Sequence, residues 1–390
     1  MKQLLTCVLG LLIFTTFENC SVRAPVTGTN TYAQAVSARA LTAYLGTYTR
    51  KEGHVDGQAD GIYRVKFDLN GGEMTQPSLL AEVINPSFLK LSQRKDILIV
   101  ASELAHADEP TGFVHTFRIA GGEATEVSKL PSNGQAPCHL ELDQTGHYVI
   151  ASNYVGGTAS LYRLADDGKM ILRDTFVVPE ADFPGRNSWL HSANIAPDNK
   201  LVAIADKGLD RIWFQQLYER GGKFRDYPQA YVALAPGSGP RHTQWSADGQ
   251  FLYVINELSN TVSVLGHNAG ASEFSVLQTL STIPPGHKGA SYCADLHLHP
   301  SGQFLYGSNR GHNSIVTYAV DPITGLLTDL GRVSTMGEFP RNFALSPEGD
   351  FLWAANQNSN NISAYAINAK TGLPRFLAEY EALTPVCIAY

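Results

Sequence analysis

The chain has 390 residues, 44% hydrophobic and 17% charged, with 35 glycines. That is enough apolar surface for a sizeable core and enough turn formers to cut it into short elements. A net charge of −7 argues against nucleic acid and a basic membrane-surface footprint, and no internal apolar run reaches the length of a membrane span.

Met1-Lys2 followed by the apolar run Leu4 to Phe14 has the layout of an export signal, assigned to residues 1–20. Cys20 follows the apolar run closely and is a candidate for a lipid anchor, although Phe17-Glu18-Asn19 are not the small residues such processing prefers. Residues 21–40, rich in Thr, Ala and Val with Pro25 and Gly28, read as a flexible tether. The protein is thus expected outside the cytoplasm, periplasmic or lipid-anchored at the cell envelope. Residues 41–390 read as one domain.

Within that domain the layout repeats. Leu41 to Tyr48, LTAYLGTY, looks like a second strand with no first strand before it. A degenerate copy of a three-strand unit starts at Pro86, and clear copies start at Ala136 and Leu190. The template is Gly237 to Leu265, GSGPRHTQWSADGQFLYVINELSNTVSVL: a short strand, an Asp-Gly turn, a continuously apolar strand, a second turn and an alternating strand. Copies follow at Ala294 and Pro340. Lys95, Gly146, Asn199, Gly249, Gly302 and Gly349 hold one turn position, at a period of about fifty residues, which is the signature of a β-propeller with one blade per repeat. Pro385 to Ile388 resembles a first strand that runs out of chain. Pairing it with the N-terminal strands supplies a seventh blade and leaves no open edge. The expected fold is all-β, a seven-bladed β-propeller closed by its two ends.

Without the leader the cysteines are Cys138, Cys293 and Cys387, one in each of three blades. That spacing is neither a disulfide framework nor a zinc site, and free thiols are expected. The longer connections, Pro179 to Trp189 and Pro284 to Tyr292, carry turn formers with a few polar and aromatic groups and are candidates to shape a pocket.

Strand direction alternates within a blade, so the start of each first strand and the end of each second strand share a rim. At the starts stand Ser87, Cys138-His139, His191-Ser192, Arg241-His242, Ala294-Asp295 and Arg341-Asn342. At the ends stand Ser102-Glu103, Asn153-Tyr154, Asp206-Lys207, Asn256-Glu257, Asn309-Arg310 and Asn356-Gln357. Framework positions keep their character between blades, whereas rim positions are polar yet differ each time, as a pocket for an asymmetric small molecule requires. The recurring Asn153, Asp206, Asn256, Asn309 and Asn356 read as turn-satisfying residues. Glu257 and His191 are candidates to activate water, and Arg241, Arg310 and Arg341 suit a carboxylate or phosphate. Asp295, His297 and His299 alternate on one strand and invite a metal, but His299 falls at its far end, and no metal or cofactor is assigned.

At these residues the sequence resembles the lactonase family of seven-bladed propellers, which includes bacterial 6-phosphogluconolactonase and a fungal enzyme that cyclises 3-carboxymuconate. The matching stretches are HSANIAPDNKLVAIADKGLDRI, GSGPRHTQWSADGQFLYVINELSNTVSV, ADLHLHPSGQFLYGSNRGHNSI and PRNFALSPEGDFLWAANQNSNNISAY. The resemblance covers nearly everything after Ala40 and places the functional set on His191, Arg241, Glu257 and Arg310. His242, Asp206, Asp295, His297 and Arg341 are added as substrate-binding candidates. The implied activity is metal-independent hydrolysis of a sugar-derived lactone, with Glu257 or His191 as the base and Arg241 on the carbonyl or oxyanion. Arg310 and Arg341 are assigned to an anionic substituent. The implied partner is a small-molecule lactone or sugar acid, bound by a monomer. Two alternatives stay open: a non-catalytic propeller presenting its rim to a glycan or protein, and a lactonising cycloisomerase on the same site. The export leader sets this chain apart from a cytosolic sugar-phosphate enzyme.

Overall fold

The computed structural model describes residues 39–53, 55–105 and 109–390. The export signal, the Cys20 anchor and nearly all of the tether lie outside these residues. Ala40, the last residue given to the tether, already pairs with Asp68.

Seven four-stranded antiparallel sheets form the described body. In chain order of their inner strands, six blades begin at Pro86–Leu91, Gln135–Leu142, Leu190–Ile195, Pro240–Trp245, Tyr292–Leu298 and Pro340–Leu345. Each then runs outward through its next three strands in sequence. The remaining blade is composite. Its inner strand is Pro385–Ala389, followed outward by Ala40–Thr47, Gly61–Asp68 and Ser78–Glu82. Tyr44 pairs with Ala389 and Gly46 with Cys387, so strands from the two ends of the domain close the ring as the sequence implies. Among the described residues the helical content is one 3₁₀ turn, Glu180–Asp182, in a long connection.

Burial follows radius. Second strands such as Ile97–Ser102 and Leu201–Asp206 are buried at every position, whereas an outer strand such as Met170–Val177 is mostly exposed. Apolar side chains then fill the wedges between blades. Phe214 stacks on Phe274 with centroids 3.9 Å apart, and Phe67 stacks on Trp353 at 4.1 Å across the closing blade. Third-strand tyrosines add polar ties. Tyr162, Tyr318 and Tyr365 each donate through their hydroxyl to a carbonyl at the end of the preceding blade's outer strand, Pro131, Ser281 and Ser334 respectively.

The turn after each first strand needs a left-handed residue. Gly249 sits there at φ 70°, and Asn199 and Lys95 adopt the same conformation at 57° and 58°. At the opposite end of the blade the recurring amides tie the following hairpin and, in two blades, the end of the preceding blade's outer strand. Asn256 donates to Thr261 and Ser263, Asn309 to Thr282 and Ser314, and Asn356 to Thr335 and Ser363.

Candidate active site

Every inner strand carries a β-bulge near its start. Pairing jumps from Pro86 to Phe88, Pro137 to His139, Leu190 to Ser192, Pro240 to His242, Cys293 to Leu296 and Pro340 to Asn342. A bulged residue leaves the ladder and its side chain is re-aimed. The released residues are Ser87, Cys138, His191, Arg241, the Ala294-Asp295 pair and Arg341. In the closing blade pairing passes from Cys387 to Pro385 and releases Val386. One repeated irregularity therefore presents a different side chain from each blade.

Glu257 lies at the centre of the resulting cluster. Lys207 Nζ donates to its Oε1 at 2.6 Å. Its Oε2 lies 3.0 Å from a terminal nitrogen of Arg310 and 3.2 Å from Nε of Arg241. All four side chains are buried to within about a tenth of full exposure: 10% for Glu257, 11% for Lys207, 2% for Arg241 and 7% for Arg310. Burial works to raise the Glu257 carboxyl, but Arg310, Lys207 and Arg241 outweigh it and hold it down to about 2. Burial, with Arg310 and Arg341 nearby, pushes Arg241 down to about 9, so it remains charged at neutral pH. Across the mouth Arg341 lies 3.4 Å from Glu103, whose carboxylate also accepts a hydrogen bond from Tyr48 Oη at 3.0 Å.

His191 stands beside this group. Its Nδ1 is 3.7 Å from Cys138 Sγ and its ring meets Tyr154 edge-on, while Nε2 has no hydrogen-bond partner among the described residues. Burial and then Arg241, His242, Arg341 and Lys207 keep its pKa well below the ordinary 6.5, so the ring is neutral at neutral pH. Tyr154 accepts from Lys207 at 3.0 Å and stacks on Trp189, and Phe339 lies under Arg310. The long connection ending at Trp189 thus adds an aromatic wall to a charged floor.

Behind the mouth His242 meets the rings of His139 and His191 in T-shaped contacts, its ring centred 5.3 Å from His139 and 5.2 Å from His191. His242 is tied to Asp295, and Asp295 to His297. Beneath them a cavity of about 540 Å³ opens toward the other face, lined by residues including Lys90, Glu141, Asn194, Gln244, His297 and Phe343.

The structure thus brings His191, Arg241, Glu257, Arg310 and Arg341 to one mouth, and sets His242, Asp295 and His297 behind it. Asp206 belongs to neither group. Its carboxylate is fully buried and accepts from Ser188, Trp213 and the backbone amides of Trp189, Gly208 and Leu209. That is the turn-satisfying role its alignment with the asparagines implies, and it leaves no oxygen facing the mouth. His299 turns away from Asp295 to Ser301 and to the Gly349 carbonyl in the next blade. Cys138, Cys293 and Cys387 are buried free thiols, each pushed up to about 12 by burial.

Lys207, Glu103 and Tyr48 were not singled out from the sequence. Lys207 and Glu103 are themselves among the second-strand ends aligned across the blades, and a basic residue one strand end away from an acidic one is the available signal. Tyr48 carries no such signal, because only ring closure brings it near Glu103.

Comparison with known proteins adds the following. The family described as lactonase, 7-bladed beta-propeller, matches residues 42–390. A 6-phosphogluconolactonase of Bacillus subtilis is 30% identical over 309 residues, spanning 77% of this chain and 83% of the relative. One from Formosa agariphila is 32% identical over 318 residues, spanning 77% and 85%. The solved structure of a periplasmic gluconolactonase from Pseudomonas aeruginosa superposes with a TM-score of 0.81 at 29% identity, covering 90% of this chain and 98% of that one.

Proposed function

Because the chain belongs to the lactonase family of seven-bladed β-propellers, we propose that it hydrolyses a sugar-derived lactone at the mouth built around Glu257. The observation that carries this reading is the charge balance there. Four cations, Lys207, Arg241, Arg310 and Arg341, face two carboxylates, Glu257 and Glu103, all of them largely buried. Fixed positive charge in a partly dehydrated mouth favours a developing oxyanion far more than the same charge in water, and it favours the carboxylate that ring opening leaves.

Water must attack the lactone carbonyl, and the ring oxygen leaves as an alcohol that keeps a proton. Arg241 and Arg310 are placed to hold the oxyanion. His191 is the base. It is neutral, its Nε2 has no partner among the described residues, and an anionic transition state offsets the cations that depress its basicity. Glu257, held near 2 by its three partners, is a poor proton acceptor; its role is to gather the cations and fix their planes. Arg341, two blades on from Arg241 and paired with Glu103, is assigned to an anionic substituent. The aromatic wall of Tyr154 and Trp189 suits the apolar face of a sugar ring.

Asp295, His297 and His242 form a polar layer behind the mouth, and no resident metal is required by these steps. The leader at residues 1–20 and the name of the Pseudomonas aeruginosa neighbour both support a protein exported to the periplasm. The test is acid release by the purified protein from a panel of lactones that pairs gluconolactone with its 6-phosphorylated form. Turnover of either supports the reading, the ratio of kcat/KM assigns the substituent, and inertness toward the whole panel overturns it.

A further inference from the structure

His242 follows the bulged Arg241, and its contacts assign its tautomer. Nε2 lies 3.2 Å from NH1 of Arg241, and Nδ1 lies 2.7 Å from Oδ1 of Asp295. A guanidinium has no lone pair to offer, so Nε2 must accept, and the ring proton sits on Nδ1 and is donated to Asp295. Asp295 is itself immobilised. It also accepts from the Leu296 amide, from His297 Nε2 at 2.8 Å and from Asn342, whose own Oδ1 accepts the Ile388 amide. His242 is in turn fixed from behind by contacts through four inner strands.

The same arrangement settles which part of Arg241 is committed. NH1 donates to the Ala294 carbonyl at 2.6 Å and to His242. Nε lies against Glu257. NH2 has no hydrogen-bond partner among the described residues. NH1 is thus committed by two hydrogen bonds and Nε lies in an ion pair without hydrogen-bond geometry, which leaves NH2.

We propose that His242 is a positioning residue for lactone hydrolysis: locked by Asp295 with its proton on Nδ1, it turns a lone pair to Arg241 NH1 and so aims Arg241 NH2 at the oxyanion. This rests on the lactonase reading for its kinetics, but not for its tautomer. It reassigns His242 and Asp295 from touching substrate to acting through Arg241. Without the acceptor, NH1 would keep only the Ala294 carbonyl, and the guanidinium plane would be set by that bond and the Glu257 ion pair alone.

Two variants separate the roles of the two ring nitrogens. In His242→Gln the amide oxygen reaches the place of Nε2 and can accept from Arg241. In His242→Asn the short amide reaches the place of Nδ1, keeps the Asp295 contact and loses Arg241. On the lactone that wild type turns over best, kcat of His242→Gln should stay within about tenfold of wild type. His242→Asn should lose about a hundredfold or more, the scale of one misplaced oxyanion donor, with KM little changed. The opposite order in two folded variants overturns the proposal, since a merely structural histidine anchored on Asp295 is better replaced by asparagine. The second readout does not depend on turnover. Nitrogen-15 NMR of protein labelled at histidine should show two buried rings protonated at Nδ1 alone, His115 beside Glu126 and His242 beside Asp295, and only the His242 signals should be lost in His242→Gln. A His242 found protonated at Nε2 overturns the proposal even in an active enzyme, whereas a protein inert toward every lactone with the Nδ1–H tautomer in place overturns only the lactonase reading.

Discussion

Single residues divide the labour at the mouth. A neutral His191 should serve as base down to unusually low pH: because its pKa lies below 6.5 in the folded protein, kcat/KM should hold level through neutrality and fall only below pH 6.5. An acid limb at or above that value would remove His191 from the role. His191→Asn should lower kcat by about a hundredfold to ten-thousandfold while the protein stays folded. Glu257→Gln should act differently, through the cations it leaves buried. Breaking a buried ion cluster by removing one partner costs about 3–5 kcal/mol, so the variant should unfold earlier at neutral pH. The sign can be followed by titration. A carboxyl held near 2 instead of 4.5 contributes stability above pH 4.5 that is lost as pH falls through 2, so wild type and Glu257→Gln should converge in chemical denaturation as pH is lowered. An unchanging gap would refute the assignment. The sequence put His191, Arg241, Glu257 and Arg310 on one rim because strand alternation fixes that. It leaves Asp206 with two readings, since a residue at a strand end can serve either the pocket or the next turn, and only the partners around it decide for the turn.

At the scale of elements, the repeat was legible because turns constrain chemistry tightly. The first-turn position needs a left-handed residue, and six blades announced it with glycine, asparagine or lysine at a regular interval. The bulges were not legible: each adds one residue to a strand start with no distinctive side chain, so the rim could be located but not which side chain was released toward the axis. The turns still differ in cost. At Gly249 an added methyl would meet nothing closer than Pro197 Cδ at 3.6 Å, so Gly249→Ala should lose only the left-handed backbone preference, about 1–2 kcal/mol. At Gly349 the methyl would run into the His299 ring, which is pinned by Ser301 and the Gly349 carbonyl. Gly349→Ala should therefore lower Tm clearly more than Gly249→Ala. Equal shifts would mean that His299 moves freely.

For the whole molecule the decisive element is the last strand. Deleting Thr384 to Tyr390 removes the inner strand of one blade and bares the edge of Ala40–Thr47. The truncated chain should lose cooperative unfolding and come out of solution; an unchanged Tm would contradict closure. Pairing residues from opposite ends of the domain also gives the fold a high contact order, so ring completion should be its slow step. The position of this strand has a consequence for timing. Ile388 donates to Asn342, Asn342 holds Asp295, and Asp295 holds the histidine behind Arg241. Six blades can pack before the ring closes, but the network that aims the arginine lacks its last peg until Pro385–Ala389 has docked. A ring still open at that strand carries every residue of the mouth and no rigid frame for it, so activity arrives with closure and not gradually as the blades form.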